Sequence, residues 1–569
     1  MRRRRVRPGI GPAVLALVAA GVFLLALFAP ASEDENHRLI LDFRPALEVL
    51  VLIGALALLR LVGLRLPSLL CYGIALLVLL AALLNLADAV MPGTYGRTVD
   101  LYWDLGLVPG LFGLYAKSAG FWHAILMTGA AIVAGLGVFL LIAGSLRLVE
   151  WATERRGIAL AVVALAAIAS GVAALLREPS AAFPINTALS AQVTQQAALV
   201  YRAWEVAHGR LGDYATILAA PQRASADLAK LKHRDMLLIF VEAFGTVALD
   251  DPRYRAQIAP ALTRFEATME RAGIGIVSNR IVSPSFGGGS WISHGTLLGG
   301  IKLDQFLSRL VLESQRKTLP RYMAAAGYRT VNVQPGIKNA PADGAFWGFD
   351  QNYFSADLDY RGPEFGWFGI PDQFTLKKFA TRENSRGIPA EGGSADRRPL
   401  FAQIVLVSSH TPFHPVPPYR KDWADAGDYI GVTPQEWERI YRQPDWSHLE
   451  EGYLDSLVYD LDVLGDFMTT RIAEGALVII LGDEQPPAFI SGENQPWTVP
   501  IYALSKDPDL LAPFVALGYR PGAFPDQTPP WRGTESFLPD FLDAFSTPLP
   551  QTGPVVGSSA PQTAPAPQP

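Results

Sequence analysis

Three places in this chain set metal-ligand side chains directly after an apolar run. Leu238-Ile239-Phe240-Val241 leads into Glu242, Ile404-Val405-Leu406-Val407 into Ser408-Ser409-His410, and Ile479-Ile480-Leu481 into Gly482-Asp483-Glu484. In open α/β sheets, ligands bind beyond the carboxyl ends of the strands. Three strands are thus expected to deliver Glu242, His410, Asp483 and Glu484 to one edge. Carboxylates with histidine suit a hard or borderline divalent metal ion, Mn or Mg preferred and Zn possible. A nucleophile candidate stands in Ser285-Phe286-Gly287-Gly288-Gly289-Ser290, a glycine run feeding a predicted helix. Its glycines permit close backbone approach, and a serine at a helix N-terminus sits where amide groups favour an anion. A metal beside it would lower the hydroxyl pKa. Taken alone, Ser290 reads better as only an N-cap. His294 shares a helical face with Ser290 and reads as a substrate contact or as a packed histidine. His414 is open in the same way, and Asp483-Glu484 also reads as a turn cap before Gln485-Pro486-Pro487.

The elements that must position these residues begin near 234. Short β-type runs at 236–241, 274–277, 330–333, 401–407 and 477–481 alternate with helical stretches at 256–272, 319–326 and 453–474. Such alternation predicts an α/β domain with a central, mostly parallel sheet over 234–546. Residues 547–569 are rich in Pro, Ala, Thr and Ser, carry no charge and are expected to be disordered. The loops at 387–398 and 419–448 are candidates for acceptor choice.

Charges are sparse before residue 177. Half of the residues are hydrophobic and the mean hydropathy is +0.21, high for a soluble chain. Apolar runs at 11–29, 46–62, 69–90, 122–143 and 158–176 predict a membrane domain of about five transmembrane helices over 1–177, each run near the ~20 residues a span needs. A helical linker is expected over 178–233. Arg2 to Arg5, then Arg60 and Arg65, then Arg147, Arg155 and Arg156 mark alternate connections, while the first connection holds Glu33, Asp34 and Glu35. The positive-inside rule puts the arginines and the N-terminus in the cytoplasm. An odd number of spans then sends everything after 177 to the extracytoplasmic side of the inner (plasma) membrane. Trp103, Tyr115 and Trp122 sit where interfacial aromatics belong, or pack in an ordinary loop.

Net charge is -5 over 569 residues, which argues against nucleic acid as a partner. The single cysteine, Cys71, lies in an apolar run, so no internal disulfide and no cysteine metal cluster forms.

Together these segments resemble the alkaline phosphatase/sulfatase superfamily, nearest to the membrane-anchored lipoteichoic acid synthase branch and its phosphoglycerol and phosphoethanolamine transferase relatives. The resemblance covers the spans, the linker and the α/β domain. It implies that Glu242, Ser290, Asp483 and Glu484 hold the metal, that Ser290 is the nucleophile, and that His410 acts in catalysis. His294, Trp347 and His414 are then substrate-site candidates. The family reads Gly-Asp-His where this chain has Gly482-Asp483-Glu484. Phe346-Trp347-Gly348 carries the tryptophan of a Trp-x-Arg element without its arginine. A formylglycine sulfatase is not expected, because the lone cysteine lies in a span and Ser283-Pro284-Ser285 has no following arginine. The implied activity is transfer of a phospholipid headgroup to an envelope glycan or lipid acceptor through a covalent serine. The alternatives are a phosphodiesterase or phosphatase, or a catalytically silent binding protein with the same fold.

Overall fold

The computed structural model describes residues 9–33, 39–95, 97–175, 187–210, 212–338, 344–383, 398–442, 448–492 and 494–548. The arginines at 2–5, the acidic residues at 34–35, most of the 387–398 loop and the tail from 549 lie outside them.

Five apolar helices form over the apolar runs: α1 (Ile10–Ala26), α2 (Leu47–Leu61), α3 (Ser68–Tyr95), α4 (Phe121–Ala152) and α5 (Arg156–Leu175). Three of them, α3, α4 and α5, are long and apolar enough to cross a membrane. The other two have 17 and 15 residues. Fifteen residues reach only about 22 Å, short of the ~30 Å hydrocarbon core. Arg60 and Arg65 pair with Glu154 at 2.9 and 3.2 Å, and Arg147 pairs with Glu150 at 2.6 Å. The second and fourth connections therefore meet at one end of the bundle. At the other end, α6 (Ala188–Ala207) presents Gln196 to the Leu101 N–H. There the Gln305 amide donates to Asp100 and ties the bundle to the rest of the chain.

The remainder is an α/β domain. Its main strands and helices are β1 (Met236–Val241), α7 (Pro252–Arg271), β2 (Gly275–Val282), α8 (Ser290–Gly299), β3 (Arg329–Gln334), β4 (Gln351–Phe354), α9 (Asp372–Glu383), β5 (Leu400–Leu406), α10 (Glu450–Thr470), β6 (Leu477–Gly482) and β7 (Thr498–Ser505). Across the sheet the order is β2-β7-β6-β1-β5-β3-β4, with two short strands flanking β2. From β6 to β4 all pairs are parallel; β7 runs antiparallel to both its neighbours. Every residue of β1, β5 and β6 is buried. A central parallel strand is covered on both faces, which is why these runs, Gln403 excepted, are apolar rather than alternating. Leu237, Ile239 and Val241 face one core with α7 and α10, while Leu238 and Phe240 face the other. Helix α7 starts where Asp251 accepts the Arg253 N–H and Pro252 takes the first helical position.

Candidate active site

Register fixes the centre of the site. Val241 lies opposite Gly482 in the parallel β1/β6 pair, so Glu242 and Asp483 leave neighbouring strands at the same level. Both are buried, as is Glu484. The two strand ends are in close backbone contact: a Cβ on Gly482 would fall 1.9 Å from the Phe244 carbonyl oxygen. Asp483 Oδ1 accepts the Ala243 N–H at 2.9 Å, and its Oδ2 lies 3.2 Å from His294 Nε2. The Glu242 carboxyl lies close to the Asp483 carboxyl and to the Ser290 hydroxyl. Burial, then the charges of Asp483 and Glu484, push Glu242 well above the ordinary carboxyl range.

The glycine run reaches this centre because Gly287, Gly288 and Gly289 all have positive φ, at 65°, 152° and 94°, a region open to glycine. Gly287 N–H donates to the Gln485 carbonyl, and Ser283 Oγ donates to the Asp483 carbonyl at 2.6 Å. The run is thus tied to the segment that carries the carboxylates. Ser290 opens α8, partly accessible, and His294 one turn later packs tilted against Phe240 at 4.2 Å between ring centroids.

Glu484 turns aside. It faces the Ser285 hydroxyl and the Gly288 amide; burial first, and the Asp483 charge second, raise it well above its ordinary value. Its Oε2 is buried without a hydrogen-bond partner. His410 lies near enough to Asp483 to feel its charge. Its Nδ1 is 2.6 Å from the Thr411 carbonyl, and a carbonyl only accepts, so Nδ1 carries the proton and Nε2 the lone pair. Burial lowers the His410 pKa and keeps the ring neutral. Trp347 lines a neighbouring cavity together with His294. His414 is not brought in: its ring lies against the backbone of Ile440 and Arg442, with Asp455 nearby.

In kind, these donors fit a hard divalent cation. Glu242 lies against the Asp483 carboxylate, a contact that needs a proton or a cation, and no cationic side chain is among the partners of Glu242 in the described residues. Among the described residues, no group of three or more His, Cys, Asp or Glu side chains is arranged to hold a metal ion. The oxygen set at the centre is two carboxyls and a hydroxyl.

Sequence reasoning missed Asp372 and Asp460. Both are buried behind His410, and they hydrogen-bond each other. Asp372 accepts the Val407 and Ser408 N–H groups at 2.8 and 2.7 Å. Ser409 Oγ donates to the Glu242 carbonyl at 2.7 Å and lies 2.9 Å from Asp460. The available signal was an aspartate on the apolar face of α10, flanked by Leu457, Leu461 and Leu464. Trp367 and Phe368, which flank His410 at 5.9 and 4.9 Å between ring centroids, were also passed over.

No family model matches this chain, and no curated protein does. Solved structures do. A protein of the alkaline phosphatase superfamily from Vibrio parahaemolyticus is 18% identical, with a TM-score of 0.32, over 50% of this chain and 62% of that one. The chain therefore spans less than two thirds of that protein. The lipoteichoic acid synthase LtaP from Listeria monocytogenes is 14% identical, with a TM-score of 0.35, over 51% and 70% of the two chains. The phosphoglycerol transferase GacH of Streptococcus pyogenes, in complex with sn-glycerol-1-phosphate, is 11% identical, with a TM-score of 0.33, over 60% and 91%.

Proposed function

We propose that this chain is a membrane-anchored, metal-dependent phosphotransferase or phosphohydrolase that acts on a phospholipid headgroup phosphodiester through Ser290. The membrane domain is 1–177 with about five apolar helices, three of them long enough to pass, the linker 178–233, and the catalytic domain 234–546 lies outside the cytoplasm. The grouping of Arg60, Arg65 and Arg147 at the bundle end remote from Gln305 supports that orientation. Anchoring confines the site to the surface where a lipid donor resides.

The observation that carries the reading is the buried Glu242–Asp483 pair set against a hydroxyl at a helix N-terminus. Glu242, Asp483 and Ser290 would hold the cation, with Glu484 lending charge from one side. When bound, a divalent ion would supply electrostatic stabilisation of the phosphoryl oxygens. The Ser290 hydroxyl lies beside Glu242, which is placed to accept its proton when Oγ attacks phosphorus. The P–O bond to diacylglycerol breaks, the diacylglycerol oxygen leaves with the proton that Ser290 gave up through Glu242, and the headgroup phosphate stays esterified to Ser290 Oγ. The free amide groups of α8 face the incoming phosphate. His410 is neutral with its lone pair on Nε2, which suits it to take the proton of the acceptor hydroxyl or water in the second step. Its use as an acid toward the leaving group would need an imidazolium that burial disfavours.

Mass spectrometry of the full-length protein after exposure to membrane lipids tests this. A phosphoglycerol or phosphoethanolamine adduct on Ser290 is expected, and none on Ser290→Ala. Unchanged turnover in that variant would remove Ser290 from the mechanism. The partnerless Glu484 Oε2 supports a second reading, a silent binding protein; absence of bound divalent metal in the purified protein near neutral pH would favour it.

A further inference from the structure

Next to Ser290 lies a cavity of about 250 Å³, lined on one side by Trp291 and Trp347 and on another by Asn332, Asn352 and Gln403. That is close to the lower end of the ~300–1,000 Å³ range of small-molecule pockets. The three amides come from adjacent strands and share one register, with Asn332 opposite both Asn352 and Gln403. Gln403 Nε2 donates to Asn332 Oδ1 at 3.2 Å, and Asn332 Nδ2 donates to Asn352 Oδ1 at 2.9 Å. The relay ends on the Asn352 amide nitrogen, which has no protein acceptor among the described residues. At its other end, Gln403 Oε1 has no partner. The side chain of Gln334, which also lines the cavity, has no protein hydrogen bond among the described residues.

Buried amides cost free energy unless they are hydrogen-bonded. The positions flanking this row, Val331, Val333, Ala402 and Ile404, are apolar, so packing alone would be met by apolar side chains here too. An amide ladder instead offers a row of paired donors and acceptors, the complement of hydroxyl groups, which both donate and accept. The tryptophans add aromatic faces with a negative quadrupole, suited to the C–H surface of a polyol. Charge recognition is missing. Among the described residues the wall holds no Lys, Arg, Asp or Glu, and its one titratable group, His294, is engaged with Asp483. A phosphate entering here would meet no guanidinium, and an ammonium no carboxylate.

We propose that this cavity binds an uncharged polyhydroxyl unit, a sugar or a glycerol, of one of the two molecules that meet at Ser290, the phosphate donor or the acceptor. The inference depends on the phosphotransfer reading for its place in the reaction, but not for the binding itself. The test is ligand-observed NMR on the full-length protein in detergent, in the Ser290→Ala background, with glycerol, methyl glucoside, ethanolamine and choline as probes. The two polyols are expected to bind and the two ammonium compounds not to. Preference for glycerol would assign the cavity to the lipid headgroup, and preference for the glucoside to a glycan acceptor; either supports the proposal. Asn352→Leu is expected to weaken polyol binding about tenfold, the worth of one or two hydrogen bonds. Trp291→Ala should weaken it as well, and folding is not at stake there because Trp291 is 55% exposed. Preferential binding of choline or ethanolamine overturns the proposal, as does polyol binding that neither substitution alters. Because binding is read without Ser290, failure here leaves the nucleophile untouched, and failure of the nucleophile leaves this measurement standing.

Discussion

Two pairs of buried carboxyls stand side by side in this domain, and they have opposite surroundings. In the Glu242–Asp483 pair, Glu242 meets a serine hydroxyl that is partly open to solvent. In the Asp372–Asp460 pair, both residues are sealed, and Asp372 is fastened by the Val407 and Ser408 N–H groups. Burial and the neighbouring Asp372 charge hold Asp460 well above its ordinary value, so the proton stays on Asp460. The same chemical pair is thus put to two uses. One, on the proposed function, is an opening for a cation and a phosphate. The other is a fixed brace for the loop that carries Ser409 and His410. Access of a third group, more than carboxyl chemistry itself, separates a reactive pair from a structural one.

The largest effect that would sharpen this contrast is on turnover. Ser290→Ala is expected to lower headgroup release by about 1,000-fold or more, measured on lipid substrate at saturating metal, while the melting temperature stays close to that of the wild type. Asp460→Ala should act the other way round. It strands the Asp372 carboxylate in the core and should cost about 3 kcal/mol in urea unfolding, whereas Asp460→Asn, which keeps a donor, should cost about 1 kcal/mol. Next comes metal. Mn or Mg at about a hundredfold excess over its Kd should stabilise the protein by about 2.7 kcal/mol, and Glu242→Gln should lose that gain while Asp460→Asn retains it. A melting temperature that responds to metal equally in both variants would break the comparison. The smallest effect is in pH dependence. Asp460 is protonated in the fold and has an ordinary value of 3.8. Its contribution is therefore complete below that value and is lost as pH rises toward the raised folded value. Asp460→Asn should reduce the downward slope of stability by one proton, about 1.4 kcal/mol per pH unit.

Much of this was legible in the chain because burial on both faces leaves an uninterrupted apolar run. Expected strands at 236–241 and 477–481 match β1 and β6 to within a residue. β2 was cut short at 277 because Asn279 and Arg280 break its apolar pattern; Arg280 is buried through its pairing with Asp250. β7 went unread, and Pro500 within it is a residue that argues against an internal strand. Carboxylates at strand ends were readable because their register follows from the strands. Asp372 and Asp460 were not, since their partners are backbone amides and each other, contacts that exist only once α9 and α10 have packed. The turning of Glu484 toward Ser285 is likewise a matter of local backbone path.

The Gly482–Phe244 approach leaves no slack between the two strand ends that bear Glu242 and Asp483. Heat should therefore not blunt the reactive centre gradually while the surrounding sheet endures. On the proposed function, inactivation and the loss of sheet structure ought to follow one curve, and the protein's thermal tolerance would be set by the interior of its sheet rather than by its loops.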